Sequence, residues 1–276
     1  MQYTVIGGKG FIGTEICFLL ERAGHDVFIP EKNDEELFDK NLGIVIYCAG
    51  YGDCTSNPFK VVESNINSLV NIVERGDFKK LIYLSSTRLY MEKSSSLETD
   101  DLLISSTDKR RLFNLTKLVS EELCLLSKKN ITIVRPSNVY GMALKSPLYL
   151  PSITRNAIVE KRIDMYVSKQ YAKDYVSVED VADAVYRLTL CENLEHKIYN
   201  IASGINVSSF QIAEILEKHT GCEVVWHDLD FSNEEKFPTT SVQLISDSIR
   251  FLPSSVLDDL PLMISKFEQV LTPTPS

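Results

Sequence analysis

The 276-residue chain lacks the features that mark several classes of protein. Its formal net charge is −9 and it has no run of about five or six basic residues, which argues against a nucleic-acid-binding surface. No apolar run approaches ~18 residues, and the first residues do not have the pattern of a signal peptide. None of the six cysteines forms a Cys-x-x-Cys pair, so neither a disulfide framework nor a metal site is expected. We therefore expect a cytoplasmic protein with no nucleic-acid partner, no membrane partner and no metal.

Strand-like and helix-like stretches alternate through the first half of the chain. The predicted strands are 2–6, 26–30, 43–48, 80–85 and 131–135, and the predicted helices are 11–23, 34–40, 58–75, 107–128 and 151–160. Several of these strands are nearly continuous in apolar residues, which is typical of parallel strands buried on both faces. The alternation predicts an α/β fold with a doubly wound, parallel Rossmann sheet, in which functional residues follow the carboxyl ends of the strands.

The alternation becomes less regular after about residue 142, where prolines interrupt the chain. We predict a dinucleotide-binding Rossmann domain made of residues 1–141 and 178–202. A small C-terminal substrate lobe, made of residues 142–177 and 203–276, would be interleaved with it. The lobe carries no recognisable motif for one sugar or one nucleotide.

A glycine-rich turn follows the first predicted strand. Gly7, Gly10 and Gly13 allow a tight turn, a close approach of backbone to a pyrophosphate, and close packing of helix on sheet. Phe11 and Ile12 begin the following helix, whose free N–H groups and positive dipole end favour phosphate. Strand, turn and helix together predict a dinucleotide site.

The end of the second strand bears on which dinucleotide is bound. Glu31 can accept hydrogen bonds from both ribose hydroxyls and would repel a 2′-phosphate, which favours NAD. Lys32 and Lys9 could instead attract the extra phosphate of NADP, which leaves NADP as the alternative. The segment between Glu31 and Gly43 is short, so part of the usual strand–helix unit on the adenine side is expected to be absent.

Further motifs follow the other strands, and together they cover nearly the whole chain. They are Cys48-Ala49-Gly50, Asn65 within Glu-Ser-Asn-Ile-Asn-Ser, Ser85-Ser86-Thr87-Arg88-Leu89-Tyr90, Arg135-Pro136-Ser137-Asn138, and Lys173-Asp174-Tyr175. With the glycine turn, this set resembles the extended short-chain dehydrogenase/reductase family, in its NAD-dependent epimerase/dehydratase branch. The resemblance implies enzymes that modify nucleotide-diphosphate sugars.

The resemblance also implies roles for individual residues. Ser86 would hydrogen-bond the reacting sugar oxygen, and Lys117 would hold the nicotinamide ribose and lower the pKa of a tyrosine one helical turn earlier. The other cofactor contacts would come from the second and third motifs and from the end of the fifth strand, namely Cys48, Ala49, Gly50, Asn65 and Pro136. The other substrate contacts would be Thr87, Asn138 and Lys173, with Lys173 at a position usually held by an arginine.

Phe113 stands where the family has its catalytic tyrosine. A benzene ring carries no ionisable proton, and loss of a general acid/base commonly costs on the order of 10²–10⁴ in rate. Three explanations stay open: a deliberate Tyr-to-Phe change, a naturally inactive binding protein, or transfer of the role to another group such as Tyr51 or Tyr90. Packing is the alternative role for these two tyrosines.

The residues after Ser86 narrow the reaction. Dehydratase relatives usually carry an acidic pair there, and this chain has Thr87 and Arg88, which disfavours 4,6-dehydration. We therefore predict a nucleotide-sugar epimerase or a 4-keto reductase/dehydrogenase scaffold. The rival is a non-catalytic NAD(P)- and nucleotide-sugar-binding protein.

The family resemblance also implies a homodimer, which would form through helices 58–75 and 107–128. An apolar stripe at helical spacing runs along the second of these helices, made of Leu112, Leu115, Val119 and Leu123. The stripe either faces a partner subunit or packs on the sheet, and the sequence does not separate these alternatives.

Overall fold

A computed structural model describes residues 1–32, 34–144, 146 and 148–271. Three parts of the predicted lobe, residues 145, 147 and 272–276, lie outside this range. Among the described residues, no helix has the length and apolar character needed to cross a membrane.

The central feature is a six-stranded sheet in which every pairing is parallel. The described strands are β1 (Gln2–Ile6), β2 (Asp26–Phe28), β3 (Ile44–Tyr47), β4 (Lys80–Leu84), β5 (Ile131–Pro136), β6 (Asn138–Tyr140), β7 (Arg162–Met165), β8 (Ala172–Ser177), β9 (Ile198–Ile201), β10 (Asn206–Ser208) and β11 (Glu223–Trp226). The sheet order is β2-β1-β3-β4-β5-β9, so the chain reverses direction across the sheet between β1 and β3. The predicted parallel α/β sheet is confirmed, and the reversal places a crevice at the carboxyl ends of β1 and β3.

Helices cover both faces of this sheet. The described helices are α1 (Phe11–Arg22), α2 (Pro58–Val62), α3 (Ser68–Arg75), α4 (Arg111–Leu126), α5 (Tyr149–Val159), α6 (Val178–Leu190), α7 (Ser209–Thr220), α8 (Gln243–Ile249) and α9 (Val256–Leu271). One apolar cluster joins the sheet to α1 and α6, with Ile16 and Val185 fully buried. The cluster on the opposite face joins the sheet to α3 and α4. Burial on both faces explains why the strand sequences are almost entirely apolar.

The predicted helices differ from the observed ones at three places. Residues 34–40 form only a short 3-10 turn (Glu35–Asp39), in which the Asp34 carboxylate caps the N–H of Glu36 at 3.1 Å. The predicted helix 58–75 is divided into α2 and α3 by a π turn (Glu63–Asn67). The predicted helix 107–128 begins at Arg111 because residues 105–110 form turns closed by side chains such as Asp108.

A third apolar cluster is made from chain segments after residue 139. It joins α5, α7 and α9 to a parallel pair, β7 with β11, and to the sheet β10-β8-β6. Phe267 and Leu216 are fully buried in it. Helix α8 lies in the range predicted for the lobe, but its Ile245 packs on the central sheet with α6. The division of the chain into domain and lobe remains a prediction.

Candidate active site

The turn between β1 and α1 has two positions at which only glycine fits without steric conflict. Gly7 has a φ of +88°, and a Cβ there would lie 2.6 Å from the Ala49 nitrogen. A Cβ on Gly13 would lie 2.2 Å from the Gly7 carbonyl oxygen. Both positions therefore require glycine, the first for its left-handed conformation and for space, the second for space alone. The Gly7 carbonyl also accepts the Gly10 N–H at 2.9 Å, which fixes the turn.

The first turn of α1 is open to an anion. Gly10 is its N-cap and offers no capping side chain, and the first turn contains no acidic residue. Unfilled N–H groups and the positive end of the helix dipole make such a terminus a binding site for phosphate. Gly10 lines the adjoining cleft, whereas Gly13 is buried and Ile12 packs on the central core. Phe11 is half-buried beside Gly141.

A cleft of about 480 Å³ opens at the reversal point of the sheet. Its walls come from the ends of β1, β2 and β3, the 3-10 turn, the π turn and α3. The lining residues are Ile6, Gly7, Gly8, Lys9, Gly10, Ile29, Pro30, Glu31, Lys32, Asp34, Leu37, Phe38, Cys48, Ala49, Gly50, Ser64, Ser68, Asn71 and Ile72. The structure thus brings predicted cofactor residues from three separate strands into one cavity.

The outer wall of this cleft is thin. Between β2 and β3 the described residues form no further strand, and the 3-10 turn supplies Leu37 and Phe38 as the wall. The expected absence of part of a strand–helix unit is confirmed for the described residues. Glu31 pairs with Lys9 across the mouth of the cleft, and both side chains are exposed. A ribose hydroxyl would meet this pair, since Glu31 remains accessible to solvent.

The segment after β3 forms the inner wall and is held from beneath by Asn65. The Asn65 side chain accepts the Tyr51 N–H at 2.9 Å and donates to the Tyr51 carbonyl at 3.1 Å and to the Thr116 hydroxyl at 2.9 Å. Asn65 is fully buried, and all three of these bonds are internal. Its observed role is therefore to position the loop after Gly50, and a direct cofactor contact stays a prediction. Cys48, which donates to the Ile6 carbonyl at 3.2 Å, ties the same segment to β1.

Lys117 on α4 is buried behind Gly50, a residue of the cleft lining. Its ammonium group donates to the Leu84 carbonyl at 2.8 Å, and a Cβ on Gly50 would lie 3.7 Å from it. Burial lowers the pKa of Lys117 to about 8, against the opposing effect of the Glu121 carboxylate. The side chain is therefore a fixed cation at neutral pH, placed beside the backbone of Gly50.

Phe113 lies one helical turn before Lys117. The Lys117 Nζ is 5.8 Å from the centroid of the Phe113 ring, and the Arg110 guanidinium is 4.9 Å from it. A Cβ on Gly52 would lie 3.9 Å from the ring edge, so Gly52 provides the space above it. The half-buried ring thus lies close to two cations, at the position for which the sequence resemblance predicts a catalytic tyrosine.

Ser86 begins the 3-10 turn Thr87–Tyr90 directly after β4. Its hydroxyl accepts the Arg88 N–H at 3.1 Å and can still donate its own proton. Thr87 is buried, and Pro136 is buried at the end of β5, away from the described cleft lining. The turn therefore places Ser86 at the carboxyl edge of the sheet, two residues after the carbonyl that holds Lys117.

Tyr90 has a structural role. Its hydroxyl accepts from Arg135 at 2.6 Å and donates to Asn200 at 2.9 Å, and burial raises its pKa to about 12. Arg135 is also paired with the buried Glu121 carboxylate, at 2.6 Å. Tyr51 is held through its backbone by Asn65, with Lys60 stacked on its ring at 4.2 Å. The alternative of packing is therefore what the contacts of Tyr90 show.

One of the predicted substrate residues, Lys173, lies close to a carboxylate that the sequence motifs did not indicate. Asn138 donates its side-chain N–H to the Asp174 carbonyl at 2.8 Å. Lys173 lies 3.5 Å from the Glu235 carboxylate, which also accepts two hydrogen bonds from the Arg88 guanidinium. Glu235 lies far along the chain, in a segment with no motif, so sequence reasoning had no signal for it.

The residues of the cleft fit a dinucleotide. The glycines keep the turn free of side chains, and the first turn of α1 has no capping side chain. The Glu31 carboxylate and Lys9 lie at the mouth of the cleft. Among the described residues no cluster of three or more His, Cys, Asp or Glu is suited to a metal ion. Fold and site together define a dinucleotide-binding protein of the Rossmann type.

The family follows from comparison with known proteins. The chain belongs to the NAD dependent epimerase/dehydratase family, whose profile matches residues 3–202. The resemblance inferred from the motifs is thereby confirmed, and dependence on NAD is a property of this family. A curated relative, GDP-6-deoxy-D-talose 4-dehydrogenase of Aggregatibacter actinomycetemcomitans, is 24% identical over 261 residues, covering 86% of this chain and 84% of the relative.

Solved structures show the same fold. UDP-glucuronic acid 4-epimerase from Bacillus cereus in complex with NAD has a TM-score of 0.84 and 19% identity, covering 100% of this chain and 99% of that chain. MoeE5 in complex with UDP-glucose and NAD has a TM-score of 0.84 and 18% identity, covering 99% and 100%. The predicted α/β fold with a parallel, Rossmann-type central sheet is therefore confirmed.

Proposed function

We propose that this chain binds NAD in the 480 Å³ cleft and a nucleotide-diphosphate sugar beside it, as a sugar-nucleotide epimerase or 4-keto reductase/dehydrogenase scaffold. The observation that carries the proposal is the convergence of the glycine turn and the β3 loop on one cleft, with the Lys117 ammonium behind Gly50 of its lining. The named relatives and solved structures act on or contain UDP- or GDP-linked sugars, and this supports the class of substrate.

The chain's own residues supply the binding groups. The open first turn of α1 would direct backbone N–H groups toward the phosphates, and Lys117 would offer a cation to the nicotinamide ribose. Bound NAD would accept a hydride from a sugar carbon or return it. Ser86 would donate its hydroxyl proton to the reacting sugar oxygen, because its lone pairs are partly used by the Arg88 N–H.

Phe113 supports the second candidate, a non-catalytic protein that binds NAD(P) and a nucleotide sugar. Its ring is held between Arg110 and Lys117 but has no proton to exchange. Positive charge at this place would lower the pKa of a phenol and has no acid/base function toward a phenyl ring. The scaffold therefore keeps the environment of a catalytic tyrosine without the tyrosine itself.

We favour NAD over NADP and propose a homodimer. Glu31 is accessible at the mouth of the cleft and would repel a 2′-phosphate, with Lys9 and Lys32 as the opposing charges. The apolar stripe on α4 divides: Leu123 packs on the core, whereas Leu115 and Val119 are exposed. These two exposed side chains, with Phe59 on α2, support a partner subunit on this face.

Two measurements test the proposal. Mass spectrometry of the nucleotides that copurify with the protein should find NAD, and a panel of UDP- and GDP-sugars should contain a ligand that raises its melting temperature. Turnover of any sugar by the wild-type chain supports the enzyme, whereas binding without turnover supports the second candidate. Failure of every nucleotide to bind contradicts both.

A further inference from the structure

A segment of the chain packs over Thr87, one of the predicted substrate residues, while Asn138 beside it is exposed. We call residues 227–242, between β11 and α8, the strap; its described backbone forms neither helix nor strand. Phe237 and Pro238 of the strap lie against Thr87 and Asn138, around a residual cavity of only about 10 Å³. A sugar cannot enter a space of this size, since a single water molecule occupies about as much. In this position the strap closes Thr87 to a sugar, whereas Asn138 is exposed.

The strap carries a carboxylate into a cluster of donors. The Glu235 oxygens accept from both terminal nitrogens of Arg88, at 2.6 and 3.1 Å, and from the Tyr171 hydroxyl at 3.2 Å. The Lys173 ammonium is 3.5 Å away. Paired, charge-assisted hydrogen bonds of this kind are the arrangement by which arginine recognises a carboxylate or a phosphate. Mainly through Arg88, they hold the pKa of Glu235 at about 2, far below its usual range.

Arg88 is built into the protein and does not depend on Glu235 for its position. Its guanidinium is buried and also donates to Asp108 at 2.8 Å. Asp108 is fixed in turn by the Arg110 N–H and by the Asn114 side chain, both at 2.8 Å. Arg88 Nε is buried with no hydrogen-bond partner in the described part of the chain. The Arg88 guanidinium would therefore stay in place after Glu235 moves away, and it could then bind another anion.

Arg88 connects the cluster to the predicted catalytic residues. Arg88 is two residues after Ser86, and its partner Asp108 contacts the start of α4, which carries Phe113. Lys173 is the residue predicted to face a substrate phosphate. An anion bound here would thus lie among the predicted substrate residues, close to Ser86.

We propose that Arg88, Tyr171 and Lys173 form an anion site for the substrate, and that Glu235 is the internal anion with which the substrate competes. The inference rests on the proposed function, because it assigns the ligand as an oxyanion of the sugar nucleotide, either its diphosphate or a carboxylate on its sugar. Displacement of Glu235 would release this contact of the strap, which is also held by the bonds of Glu234 with Ser168, Lys236 with Glu92 and Thr239 with Ser96. Arg88 is then a specificity-determining residue that a neutral side chain could not replace.

The test measures the affinity for UDP, UDP-glucose and UDP-glucuronate by calorimetry, in wild type, Glu235→Gln and Glu234→Gln. Glu234→Gln is the matched control, because it removes the same charge from the adjacent position of the strap. The Glu234 carboxylate contacts Ser168 and not Arg88. We expect Glu235→Gln to tighten binding about tenfold, since the binding-competent fraction rises when the competitor is weakened, and Glu234→Gln to change it less than about twofold. Equal tightening for all three probes assigns the site to the diphosphate, and tightening for UDP-glucuronate alone assigns it to the carboxylate.

Hydrogen exchange of the strap provides an independent readout. A bound probe should accelerate exchange of residues 230–241 in the wild type, while Arg88→Gln should lose the affinity gained in the Glu235→Gln background. Unchanged or weaker affinity in Glu235→Gln, with NAD binding intact, overturns the inference and leaves the proposed function standing. Failure of both NAD and every probe to bind any variant would instead refute the proposed function.

Discussion

Replacing Phe113 with tyrosine tests the proposed function by adding a single hydroxyl group. The new hydroxyl would extend from a ring whose centroid is 5.8 Å from the Lys117 ammonium and 4.9 Å from the Arg110 guanidinium. With an effective dielectric of about 20, one unit charge at about 6 Å is worth about 3 kcal/mol, or about two pKa units. Lys117 alone would thus lower the pKa of the phenol from about 10 to about 8, within reach of neutral pH.

A phenol with such a pKa can act as the missing acid/base. We expect Phe113→Tyr to raise turnover of at least one UDP- or GDP-sugar by on the order of 10²–10⁴, followed by chromatography of the sugar products and by NADH absorbance. Phe59→Tyr is the matched control, because it adds the same hydroxyl to an exposed ring on α2. The reasoning is refuted if Phe113→Tyr binds NAD and a nucleotide sugar but converts none of a broad panel faster than wild type.

Two further predictions concern buried charges on α4. Glu121→Gln leaves the buried Arg135 guanidinium without its carboxylate, so it should cost about 3–5 kcal/mol of unfolding free energy. In thermal denaturation this is a Tm drop of roughly 10 °C, whereas Glu36→Gln in an exposed pair should cost little, and equal effects would contradict the argument. For Lys117, burial lowers the pKa from 10.5 to about 8, so the unfolded state binds more protons between these values and stability rises with pH there. Urea denaturation should show wild type gaining about 3 kcal/mol relative to Lys117→Met between pH 8 and 10.5, and parallel pH profiles would refute this.

The strands of the Rossmann half were readable because their chemistry is uniform. Residues 44–47 and 81–84 are buried, and a nearly continuous apolar run is the pattern expected for strands covered on both faces. Strand β9 was missed because Asn200 interrupts its apolar run. Its side chain is satisfied by Ser96 and Ser241, both distant in sequence. The π turn was also unreadable, since it accommodates the contacts of Asn65 with Tyr51 across a loop.

The candidate site was readable where one local segment makes the geometry. The glycine turn could be predicted from the sequence because Gly7 and Gly13 are both needed for space and lie within a few residues of each other. The Arg88–Glu235 pair joins positions far apart in sequence and depends on the path of the strap. Local patterns contain no information about such a pairing, so the contact of the strap with Arg88 emerged only from the structure.

Titration of the purified protein with NAD by calorimetry, after removal of any copurified nucleotide, tests the central claim most directly. The account predicts saturable 1:1 binding to wild type and no measurable binding to a folded Gly13→Ala variant, whose Cβ would displace the Gly7 carbonyl that shapes the turn. Circular dichroism of the variant would establish that the fold is retained. No heat of binding with wild type, or undiminished binding with Gly13→Ala, would contradict the assignment of this cleft as the cofactor site.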